Sequence, residues 1–137
     1  MKEVRASAII NKPVNELFAF AIDPRNTPKW VKSITLEETN EWPIKAGSIY
    51  RNQRKNGEWS EYEVVTFEPN KTFVLKKDDG LYVEYGFVPA GESITRLEYC
   101  LRMATGELGS SLDERVLESM LRTLKMITER PPGRSIK

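Results

Sequence analysis

Glu61 and Glu63 alternate with Trp59, Val65 and Phe67 along a segment of strand length, so unbroken alternation puts all five on one face. If that face is turned inward, both carboxyls lose water, their pKa values rise, and the pair can serve as acid and base. If a bulge switches faces midway, both stay in solvent and do no chemistry. Tyr85 is a further candidate proton mover. Arg51, Arg54 and Arg96 can anchor a carboxylate or an enolate, although charged residues on a small sheet are usually solvated. Cys100 lies among Arg96, Glu98 and Arg102, whose arginines would lower a thiol pKa. The chain contains no histidine, however, so the common partner of a cysteine or serine nucleophile is missing, and with it the commonest general base. No Cys or His cluster has metal-ligand spacing, and no glycine-rich phosphate loop or dinucleotide fingerprint occurs, so neither metal nor cofactor is expected.

Composition bounds the rest. The 137 residues suit one domain, expected over 1–130, with 131–137 as a loose C-terminal tail. Lysine and arginine total 21 against 20 acidic residues, a balance that gives no field for nucleic acid. The single cysteine excludes an intramolecular disulfide, and the opening Met1-Lys2-Glu3-Val4-Arg5 starts no apolar stretch. No window is apolar enough for an integral membrane segment, so a reducing, cytoplasmic setting is the expectation.

The element that must organise any site is a long amphipathic helix expected over Ser111–Arg130, with Leu112, Val116, Leu117, Met120, Leu121, Leu124 and Ile127 on one face. Ser111 and Glu114 have capping-box spacing, and Pro131-Pro132-Gly133 stops the run. Before it, Val4–Ile10 reads as a strand. Pro13 then opens a short helix through Ile22, and a second brief turn closes on Trp30-Val31. Six strand-length segments follow: Ile34–Glu41, Ser48–Lys55, Trp59–Glu68, Thr72–Asp78, Leu81–Val88 and Ser93–Met103. Asn56-Gly57, Pro69-Asn70 and Asp79-Gly80 supply tight turns, so each strand pairs antiparallel with the next. The predicted class is α+β: a curved antiparallel sheet of about seven strands around a long C-terminal helix, with two short helices after the first strand. A twisted sheet touches a straight helix over part of its length and leaves space under the remainder.

Several stretches carry a family resemblance: Ala6 through Phe18, Asp23-Pro24, Pro28-Lys29-Trp30, Ala46-Gly47, Glu63 through Pro69, Ser93 through Leu97, and Leu121 through Glu129. With the element order, they resemble the START-like or SRPBCC superfamily of helix-grip proteins, and most its polyketide cyclase/dehydrase and lipid-transport branch. The resemblance implies a deep cavity between sheet and helix. Expected ligand contacts are Trp30 and Arg51, then Tyr85, Phe87, Arg96, Leu97, Tyr99 and Met103 from the last strands, and Leu117, Met120, Leu121 and Leu124 from the helix. Trp30 reads equally as a latch holding the short helices on the sheet. Three functions are compatible with the resemblance: binding a small hydrophobic or amphipathic molecule such as a lipid, polyketide or isoprenoid; a cyclase or dehydratase using the same cavity; and a protein-binding regulator. The missing histidine favours the first.

Overall fold

The computed structural model describes residues 3–103, 106, 108 and 113–130. In chain order the elements are β1 (Glu3–Ile10), α1 (Val14–Ile22), α2 (Thr27–Trp30), β2 (Ile34–Thr39), β3 (Ile49–Arg54), β4 (Trp59–Glu68), β5 (Thr72–Lys77), β6 (Leu81–Gly91), β7 (Ile94–Met103) and α3 (Glu114–Thr128). The strands form one seven-stranded sheet in the order β1-β7-β6-β5-β4-β3-β2. Every neighbouring pair is antiparallel. The meander follows from the turn chemistry: Gly57 and Gly80 take positive φ at 90° and 98°, and Asn70 takes 63°. Only β1 is out of chain order, crossing beside β7 so that the sheet curls into a half-barrel.

α3 is shorter than its apolar pattern implies. Its N-cap is Asp113, whose carboxylate accepts from the Val116 amide at 3.0 Å, so the predicted capping box at Ser111 is not the cap. Ser111 and Leu112 lie outside the described residues, as does the predicted tail over 131–137. Leu117, Leu121 and Leu124 are buried on the sheet, with Met120 and Ile127 partly buried beside them. Val116, from the same apolar face, is 39% exposed.

The C-terminal end of α3 is fastened to the start of the chain. Lys125 Nζ donates to the Ile9 carbonyl at 2.7 Å, and Glu129 accepts from the Asn11 amide at 2.7 Å. Nearby, buried Thr95 donates to the Lys12 carbonyl at 2.8 Å. Tyr50 donates to the Ile22 carbonyl at 2.6 Å, tying the end of α1 to the sheet. Under α1 an aromatic floor is packed solid: Phe18 meets Phe87 edge-on at 5.0 Å, and Phe73 meets Tyr50 at 5.6 Å.

In β4 the pairing shifts between Val64 and Thr66. Tyr62 and Val64 therefore point inward, and Phe67 does too, although strict alternation would have set them apart.

Candidate functional site

The other end of α3 does not close on the sheet. Between them lies a cavity of about 280 Å³, walled by Tyr62, Leu75, Val83, Tyr85, Tyr99 and Leu101 from the sheet, and by Val116, Leu117 and Met120 from α3. Val31 and Ile34 form its flank, and exposed Arg54 stands at the rim.

Within this apolar lining sits one polar cluster. The β2–β3 register sets Glu37 opposite Asn52, so both side chains share the concave face. Thr27, on the first turn of α2, donates to Glu37 Oε1 at 2.6 Å, and Asn52 Nδ2 donates to Glu37 Oε2 at 3.3 Å. Burial pushes the Glu37 carboxyl up to about 7, against the pull of those two hydrogen bonds. No basic side chain among the described residues contributes to that balance. Asn52 is 3% exposed, and its Oδ1 has no hydrogen-bond partner among the described residues. A buried acceptor left in that state is an uncommon and costly arrangement. Burial also drives the Tyr85 and Tyr99 hydroxyls upward, so they stay neutral and act as hydrogen-bonding groups rather than bases.

Of the residues singled out from the sequence, Tyr85, Tyr99, Leu117 and Met120 line this cavity. Trp30 is fully buried, edge-on to Tyr85 and Tyr99 at 6.1 and 5.9 Å, and lies behind the cavity wall. Its Nε1 has no partner among the described residues either. Phe87, Leu97, Leu121 and Leu124 belong to the packed core, and Met103 is partly buried against it. Arg51 is on the outer face, its guanidinium 4.5 Å over the Trp59 ring and 3.9 Å from Glu38. Arg96 is also outside, paired with Glu98. Glu61 and Glu63 are exposed, because Tyr62 and Val64 hold the inward phase before the β4 bulge and Phe67 takes it only beyond the bulge. Cys100 is buried, and desolvation raises its thiol, contrary to the lowering that its arginine neighbours imply. Among the described residues no three His, Cys, Asp or Glu side chains gather as metal ligands.

Sequence reasoning missed Glu37 and Asn52. Alternation from Ile34 puts Leu36 inside and Glu37 out. A register shift between Ile34 and Leu36 reverses this, leaving Leu36 45% exposed. Asn52 stands between Arg51 and Gln53 in a strand with no apolar contrast to betray its face.

A cavity under the free half of a C-terminal helix, gripped by a curled seven-stranded sheet, is the geometry of the START-like fold. Residues 1–125 match the family model described as polyketide cyclase / dehydrase and lipid transport. The chain belongs to that family. A search of curated proteins gives no match in sequence. A START superfamily protein from Mycobacterium smegmatis superposes with a TM-score of 0.75 at 14% identity, covering 95% of this chain and 99% of its own. The Aha1 dimer from Colwellia psychrerythraea gives 0.72 at 16% identity, covering 97% and 100%. A Deinococcus radiodurans protein gives 0.69 at 20% identity, covering 94% and 98%. At such identities the likeness concerns the fold of this START-like domain.

Proposed function

We propose that this START-like domain binds a small amphipathic molecule between sheet and α3, in a reducing, cytoplasmic setting to which its lone Cys100 is suited. The cavity carries the reading: about 280 Å³, mostly apolar, with one buried polar cluster to orient a ligand. Small-molecule sites run from about 300 to 1,000 Å³, so this space suits a ring system or a short chain better than a two-chain lipid. Native mass spectrometry of freshly purified protein tests it, together with a melting series against short amphipathic compounds. Co-purified ligand, or a raised melting temperature that Leu117→Trp abolishes by filling the cavity, is the expected result. No bound compound and no shift with any compound would refute it.

Glu37 favours a second reading, a cyclase or dehydratase. A carboxyl that titrates near 7 inside an apolar cavity is poised to take and return a proton, and the neutral tyrosine hydroxyls can hydrogen-bond a developing enolate. Incubation with a linear poly-β-ketone thioester, followed for cyclised or dehydrated product, tests this. Turnover that disappears in Glu37→Gln supports it, and absence of turnover leaves the binding reading alone.

A further inference from the structure

Resting on the binding reading, we infer that the Glu37–Asn52 pole selects a ligand whose buried end is a neutral or cationic hydrogen-bond donor, an alcohol or an amine, and excludes a carboxylate or phosphate from that end. Donors and acceptors at this pole do not balance. Thr27 has a single hydroxyl proton, and it is committed to Glu37 at 2.6 Å. Asn52 gives one amide proton to the same carboxyl, which leaves its Oδ1 as the atom without a partner. Each carboxylate oxygen of Glu37 still has a second lone pair. With Glu37 ionised the pole offers only acceptors, and with Glu37 protonated Asn52 Oδ1 is still the acceptor left open, so what is missing is a proton to fill it.

The charges agree with the count. Among the described residues, Arg54 at the rim and the hydroxyls of Tyr62, Tyr85 and Tyr99 are the other ionisable groups lining the cavity, and α3 contributes Val116, Leu117 and Met120. No cation among the described residues compensates Glu37, so an anionic end beside it would meet like charge or lone pairs on both sides. A hydroxyl satisfies Asn52 Oδ1 directly. An ammonium does so and also neutralises Glu37. The apolar walls take the body of the ligand.

A matched probe series tests the inference by calorimetry: 2-phenylethanol, 2-phenylethylamine, propylbenzene and 3-phenylpropanoate share one body and differ at the end. The alcohol, the amine or both should bind about tenfold more tightly than the hydrocarbon and the carboxylate, the worth of one well-made buried hydrogen bond. That preference should shrink below about threefold in Asn52→Leu and in Glu37→Gln, the second of which keeps the shape of the site. Amine affinity that weakens as pH falls from 8 to 5 marks the ion pair, and alcohol affinity that stays level marks the neutral mode. Equal or tighter binding of the hydrocarbon or carboxylate overturns donor selection while leaving the binding reading intact. Failure of all four to bind overturns both.

Discussion

The two halves of α3 meet the same sheet and end differently. At the C-terminal half, Leu121 and Leu124 sink into a close-packed layer, and polar ties to Ile9 and Asn11 fix the helix end. At the N-terminal half, Val116 is 39% exposed, Met120 is partly buried, and the facing strands carry tyrosines, Asn52 and Glu37 in place of phenylalanines. One half holds the fold and the other holds the space. The cause is the sheet, whose curl brings β1 against one end of a straight rod and carries β2 and β3 away from the other.

Leu121→Asp breaks the comparison most severely, since a charge in the closed half has no partner and no water. We expect loss of cooperative thermal unfolding, and a normal melt would mean the helix is not docked. Leu124→Ala should cost about 2 to 5 kcal/mol in denaturant titration, whereas Met120→Ala, which borders space already empty, should cost about 1 kcal/mol or less. Equal costs would erase the distinction between the halves.

A third test is pH. Glu37 is raised from 4.5 to about 7 in the folded state, so folding favours its protonated form. The contribution is fully present below pH 4.5 and is lost as pH rises through 7, an effect on the order of 3 kcal/mol. With no histidine in the chain, no imidazole titration overlaps that window. Glu37→Gln should flatten stability across it and leave the protein more stable than its parent at pH 8. An unchanged slope would place the carboxyl in water. The smallest effect belongs to Lys125→Met, which removes the Ile9 tie and a 2.7 Å ion pair with Glu129 on a partly exposed side chain. We expect less than about 1 kcal/mol, visible as faster amide exchange at the end of α3 and not at its start.

Much of the fold was legible because it is written in local chemistry. Asn-Gly and Asp-Gly mark hairpins wherever they occur, and the Leu117, Leu121, Leu124 spacing dictates a buried helical stripe. The polar cluster was not legible, because what turns Glu37 inward is one irregular residue in β2, and what separates Phe67 from the face of Glu61 and Glu63 is one in β4. Period-two reasoning holds until such a slip and is inverted after it. Arg51 and Arg96 are instructive in the opposite sense: charged side chains on a small sheet are usually solvated, and both lie on the outer face beside acidic partners.

The break in β4 has a wider consequence. Because the pairing slips between Val64 and Thr66, the strand behaves as two short rulers laid end to end, one measuring out the chamber through Tyr62 and the other the aromatic floor through Phe67. Changes upstream of the joint can retune what the chamber accepts without disturbing the phenylalanines that keep the domain folded. Under the binding reading, such a joint lets taste drift independently of sturdiness.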